Sequence, residues 1–125
     1  MPYTLETSKS LWRVIFSGTV IRDDLRSLVV KAEGLEKASA IGVNRLIDLR
    51  GAQAINIEFS DVSDFVARRR SFKLPNNVKS AFLTSDPVQF GFARMFQTIL
   101  DHPQITVEVF ENEKEALDWL MLPGD

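Results

Sequence analysis

The residue types that could do chemistry gather at two points in this chain. Asp48, Arg50 and Gly51 close the apolar run "LIDLRG", and Ser85 and Asp86 precede Pro87 and a helical pattern that carries Arg94. A guanidinium next to the free N–H groups of a helix start can hold a carboxylate or a phosphate. Asp86 argues for a plainer role, because a carboxylate there caps the helix and pairs with Arg94. Phe90 and Gly91 raise a different possibility. At 100° per residue, Val88, Phe92, Met95, Phe96, Ile99 and Leu100 share one helix face, and Phe90 points roughly opposite. An aromatic there closes a groove over the strand ends or stands at an interface. Gly91 costs about 1 kcal/mol relative to alanine in a helix interior, an expense expected where protein backbone or a ligand packs closely on it.

Bond-making chemistry has no support. No motif ties a nucleophile to a base, so no catalytic residue is expected and the protein is read as a non-enzyme. His102 is the one histidine and precedes Pro103 at a helix end, where a cation or an exposed ring is expected. The chain has no cysteine, which removes disulfides, thiolate metal sites and cysteine nucleophiles together. No metal and no cofactor are expected, and no Gly-rich phosphate loop is present.

The elements that must position these residues follow from periodicity. Tyr3 to Glu6 and Leu11 to Phe16 read as a hairpin around the polar turn Thr7-Ser8-Lys9-Ser10, and Ser17-Gly18 ends its second strand. A helix runs from about Arg22 to Glu33 on the stripe Leu25, Leu28, Val29 and Ala32, and Gly34 stops it. Asn44 to Gly51 is the next strand. A helix follows from Ser60, its expected N-cap, through Arg70. Val78 to Thr84 is a strand, Asp86 to about Asp101 a helix with Pro87 in its first turn, and Ile105 to Phe110 the last strand. Asn112 caps the last helix with Glu115 three residues on, and Pro123-Gly124 stops it. Strand-strand-helix followed by repeated strand-helix units implies a mainly parallel five-stranded sheet with one antiparallel N-terminal strand.

Alternation within the strands suggests which face is covered. Trp12, Val14, Phe16, Ile47, Leu49, Ala81, Leu83, Ile105, Val107 and Val109 form an apolar set. Arg13, Ile15, Leu46, Asp48, Arg50, Ser80, Phe82, Thr106, Glu108 and Phe110 form a mixed one. Sheets buried on both faces read as unbroken apolar runs, and this one does not. The four helices are therefore expected mostly on one face, with the other thinly covered; the competing reading is an edge effect with ion pairs such as Arg13 with Asp48. The basic run "ARRRSFK", Ala67 to Lys73, reads as a solvated helix end rather than a nucleic-acid patch. Across its 125 residues the chain is 45% hydrophobic and 26% charged, with a net charge of -2. That fits one globular domain over residues 1–125, with no nucleic-acid partner implied. No apolar run approaches a membrane span, and no secretion-signal pattern opens the sequence, so no membrane insertion and a cytoplasmic location are expected.

Three segments in order, "LIDLRGA" (Leu46 to Ala52), "SDPVQFGFARMF" (Ser85 to Phe96) and "VFENEKEALDWL" (Val109 to Leu120), carry a family resemblance. With the element order they resemble the STAS domains of bacterial anti-sigma-factor antagonists, and more closely the SpoIIAA-like proteins, small bacterial domains. The resemblance covers nearly the whole chain. It implies strand-helix units around a mainly parallel sheet, and a module that binds a protein partner. STAS antagonists are switched by phosphorylation of a serine in a D-S-[ST]-G-like motif. Here the matching junction, "GAQAINIEFSDVSDF", lacks that motif, and Ser60 is its nearest counterpart and thus a possible phosphosite. Asp61 and Asp64 oppose a phosphate there. The expectation is a non-enzymatic protein-binding or regulatory module, with a homodimer as a plausible accompaniment. It would use the thinly covered sheet face or the region of Asp48, Arg50, Ser85, Asp86, Phe90, Gly91 and Arg94. The alternative is a carrier of a small apolar or anionic ligand, because STAS-like domains resemble the lipid-binding CRAL-TRIO fold.

Overall fold

The computed structural model describes residues 2–123. β1 (Tyr3–Thr7) and β2 (Leu11–Ile21) form an antiparallel hairpin. α1 (Arg22–Ala38) leads to β3 (Asn44–Asn56), α2 (Phe59–Arg70) to β4 (Val78–Leu83), α3 (Pro87–Ile99) to β5 (Ile105–Phe110), and α4 (Glu113–Met121) follows. The strands lie in one sheet in chain order and pair in parallel from β2 onward. Right-handed crossovers that always step to the next strand must all pass over the same face. α1 and α3 accordingly cover one face, where Val14, Phe16, Leu28, Leu49, Phe82, Ala93 and Val107 form the larger core. α4 makes no crossover and is free to fold onto the other face, where Ala116 and Leu120 pack on Leu46, Ala81 and Leu83. The expected α/β architecture is present, with helices mostly on one face and a smaller apolar seam on the other.

Several local expectations are corrected. β4 is out of phase with the alternation read from sequence. Its register pairs Ile47 with Phe82 and Leu46 with Ala81, so Ser80 and Phe82 face the larger core, and Ala81 and Leu83 face α4. All four are buried, so polarity could not reveal the phase. Glycine at 18 and 51 does not end β2 and β3. Gly18 has φ of 64°, and register shifts flank the pair as both strands run on to Ile21 and Asn56. These are bulges, in which an extra residue twists the ribbon without ending it. At Gly51 an added Cβ would lie 2.6 Å from the Phe16 carbonyl oxygen, so only glycine fits. α1 continues through Gly34 to Ala38, and its Cβ position is open space. α2 begins one residue before Ser60; Glu58 is its N-cap residue, and its N–H donates to Asp61 Oδ2. Ser60 is therefore not the cap. Gly124, expected with Pro123 to stop α4, lies outside the described residues.

The extra turn of α1 carries the largest feature missed in the sequence. Glu33 and Glu36 of α1, Arg45 of β3 and Arg69 of α2 are buried together. Glu36 accepts from Arg45 Nη1 at 2.7 Å and Arg69 Nη1 at 2.8 Å, and Arg69 also reaches Glu33 at 3.4 Å. Arg68 closes the cluster from the surface at 2.9 Å from Glu33. The solvated-end reading of "ARRRSFK" fails for Arg69, which points inward. His102 is also buried: Phe72 O lies 2.8 Å from Nε2, and Gln104 N donates to Nδ1. Those two backbone contacts give the ring a structural role in place of the expected cation or exposed ring.

Candidate functional site

Asp48 and Arg50 meet on the α4 side of the sheet, at the level where β4 ends, since Asp48 pairs with Leu83. Arg50 grips Asp48 through Nε at 3.0 Å and Nη2 at 3.0 Å, and the same Nη2 reaches Glu113 Oε1 of α4 at 2.8 Å. Arg13 approaches Glu113 at 3.8 Å. Partial burial works against ionisation of Asp48, but the hydrogen bonds and charge of Arg50, with Arg13 beyond, hold its carboxyl below the usual range. Arg50 in turn is held above its ordinary value, chiefly by its hydrogen bond to Asp48. The guanidinium is committed to two carboxylates, and the expected Arg13–Asp48 pair is replaced by a chain running through Arg50 and Glu113.

Ser85 and Asp86 stand at the start of α3. Asp86 caps the helix by accepting from Gln89 N at 2.8 Å. It makes no ion pair with Arg94 among the described residues, which corrects that expectation; Arg94 instead lies over the Phe90 ring, 6.0 Å from its centroid. The sequence reading missed Gln89. It is 1% exposed. Its Oε1 accepts from Ser85 N at 2.8 Å, and its Nε2 donates to Ala52 O at 3.0 Å and Arg50 O at 3.3 Å. One amide thus binds the first turn of α3 to the bulged part of β3. The only signal in the sequence was a polar residue one position from the apolar stripe. Beside it, Thr84 N donates to Phe110 O at 2.9 Å and draws β4 and β5 together past their last paired residues. The strand-end region is closed by its own polar groups, and helix-start N–H groups already face Asp86.

The two clusters are joined through Gln89, but Phe90, Gly91 and Arg94 lie on the outer side of α3. Phe90 is 41% exposed and Val88, expected in the core stripe, is 63% exposed. Val88 sits a turn before Phe92, at the end of α3 that overruns the core. Nothing lies within 4 Å of the position a Gly91 Cβ would take, so close packing on that glycine is not its reason. Ser60 is exposed and lines a shallow depression with Arg22, Asp23, Glu58 and Asp61. Apart from Arg22 its charged surroundings are acidic. Among the described residues no group of histidines and carboxylates is arranged to hold a metal ion, and no helix is long and apolar enough to cross a membrane.

The chain is similar to the crystal structure of an uncharacterised protein of the DUF3478 family, with a SpoIIAA-like fold, from Shewanella loihica PV-4. The likeness has a TM-score of 0.61 at 18% sequence identity and covers 94% of this chain and 91% of that one. This chain has a SpoIIAA-like fold. No family model matches the sequence, and no curated protein does.

Proposed function

We propose that this chain is a non-enzymatic protein-binding module of regulatory type, whose partner docks on the outer surface of the first turns of α3. One observation carries the reading. Phe90 stands exposed on a helix whose opposite side makes the core contacts, with Arg94 against its ring and open space at Gly91. An aromatic with a neighbouring arginine is the composition enriched at the centres of protein interfaces. The firmly bonded Ser85–Asp86–Gln89 turn beneath gives that surface a rigid base. The test is native mass spectrometry of protein purified gently from its own cells, as wild type and as Phe90→Ala. A bound chain present with the wild type and lost with the variant is expected. A bare protein in both preparations would sink the reading.

A carrier of a small apolar ligand is the second reading, and a cavity supports it. The space between the sheet and α1–α3 measures about 90 Å³ and is walled by Trp12, Leu28, Phe82 and Phe96, with Arg45 and Arg69 at its margin. Ligand pockets typically measure about 300–1,000 Å³, so this cavity suits a small apolar group and not a lipid. A small molecule released in the same spectra would favour it.

A further inference from the structure

β1 is an edge strand, and its outward groups can be read from the hairpin. Ser17 N donates to Pro2 O, and Ser8 N donates to Leu11 O. Even-numbered residues of β1 therefore face β2, and the N–H and C=O groups of Tyr3, Leu5 and Thr7 point away from the sheet. No proline or bulge interrupts them. The opposite edge differs. In β5, Gln104 O and Phe110 O accept from β4, so Val107 faces outward, and Gln97 Nε2 of α3 already occupies its carbonyl at 2.8 Å. Among the described residues, one edge is partly blocked by a side chain and the other is open.

Beside the open edge runs a second stripe of α1, separate from the one in the core. Val30, Lys31, Gly34 and Leu35 are exposed, and with β1 they line a groove of about 440 Å³. α1 runs antiparallel to β2 and hence parallel to β1. Tyr3 is fixed beneath it by a 2.7 Å hydrogen bond to Ser27 and by Lys31, whose ammonium lies 5.4 Å from the ring centroid. Leu5 lies about 7 Å farther along the strand, which is about four to five residues farther along the helix. That places Gly34 beside Leu5.

We propose that two copies of this chain pair antiparallel through β1, with the two-fold axis at Leu5, into one continuous sheet. Tyr3 then meets Thr7 of the second copy, and Leu5 meets Leu5, so every outward group of the strand finds a partner. On the far face Thr4 falls opposite Glu6, and no like charges are opposed. On the near face the α1 helices converge at Gly34, where the missing side chain permits close approach, and Val30 and Leu35 are covered. A second copy fits this edge because the pattern is self-complementary about its centre, as an isologous interface requires. Head-to-tail growth from β1 onto β5 meets the Gln97 amide. The inference does not rest on the α3 surface, which lies toward the other edge of the sheet.

Sedimentation equilibrium from about 1 µM to about 1 mM spans the range in which small interfaces associate. The mass is expected to rise toward twice that of one chain. Amide exchange at Tyr3, Leu5 and Thr7 is expected to slow in step with it. Gly34→Glu, which brings two carboxylates together at the axis in a position open in the single chain, should weaken association about tenfold or more, or ~1.4 kcal/mol. It should leave the melting temperature of the dilute protein no lower. Leu5→Pro, which removes an outward N–H without breaking a bond to β2, should act in the same direction. A monomer at every concentration overturns the proposal. So does a dimer indifferent to Gly34→Glu, one in which those amides exchange as fast as in dilute protein, or protection that appears only when a different protein is added. Phe90→Ala should leave the dimer unchanged, which separates a failure here from a failure of the α3 reading.

Discussion

Gly51 and Gly91 look alike in the sequence and differ in what surrounds them. A Cβ at Gly51 would meet the Phe16 carbonyl at 2.6 Å, and one at Gly91 would meet nothing within 4 Å. Gly51→Ala is therefore expected to cost about 1–3 kcal/mol, the range for forced overpacking. Gly91→Ala should stabilise by up to about 1 kcal/mol. Chemical denaturation of both variants checks the opposite signs. Gln89→Leu keeps volume and leaves Ser85 N and Ala52 O without their partner; it should cost about 1–3 kcal/mol and speed amide exchange at Ser85. Phe90→Ala should cost well under the 3–5 kcal/mol of a core phenylalanine, because the ring is only partly covered. A larger loss in a melting experiment would return Phe90 to the core and remove the basis of the α3 site. Asp48, Arg50, Ser85 and Asp86 could be found from their types, but their partners could not. The Gln89 amide satisfies three backbone groups, Ser85 N before α3 and Arg50 O and Ala52 O in β3, and a polar residue beside the apolar stripe does not say which.

Among the elements, α1 shows how a small misreading hides a large feature. A helix that ended at Gly34 would leave Glu36 off α1, and with it the counter-charge of the buried Arg69. A glycine in open space lowers helix propensity without terminating the helix when the flanking turns are packed. In Glu36, burial works against the charged carboxylate, and the hydrogen bonds and charges of Arg69 and Arg45 override it, so its pKa falls below the ordinary 4.5. A carboxyl with a lowered folded-state pKa contributes stability in full above its unfolded value and loses it as pH falls through the folded one. Glu36→Gln leaves buried arginines without their main counter-charge and should cost about 3–5 kcal/mol near neutral pH. Melting temperatures of wild type and variant should converge as pH drops below about 4, and a constant gap would contradict this account. The strands repeat the lesson. Gly18 and Gly51 lie among register shifts inside the β2–β3 ribbon, and a glycine in a strand pattern signals such a bulge as readily as an end. Phe82 and Leu83 are apolar on both sides of β4, so alternation carried no phase.

For the molecule as a whole, the element order was enough to give the sheet. Strand alternating with helix leaves few topologies once crossovers are right-handed, and the expected face asymmetry follows from strands laid down in sequence. Positions at which both sides are buried, and contacts between elements far apart in the chain, stayed out of reach. The charge cluster sits where β3 begins, while Gln89 and the Asp48–Arg50–Glu113 chain sit toward the opposite end of the strands. Polar bonding thus fastens both ends of the sheet, and the apolar groups of the two proposed surfaces, Val30 and Leu35 on α1 and Phe90 on α3, lie outside these fastenings.

Because the strands stand in the sheet in the order in which they occur in the chain, each one joins a neighbour that was synthesised before it. No strand waits for a later one to fill a gap between it and its predecessor. A chain emerging from the ribosome can add β3 to the finished hairpin, then β4, then β5, with each helix closing over the pair just made. Each parallel pairing closes a loop no longer than one strand-helix unit, which keeps its entropy cost below that of pairing distant strands. Growth by accretion leaves the newest edge exposed at every stage and the oldest edge, β1, exposed throughout.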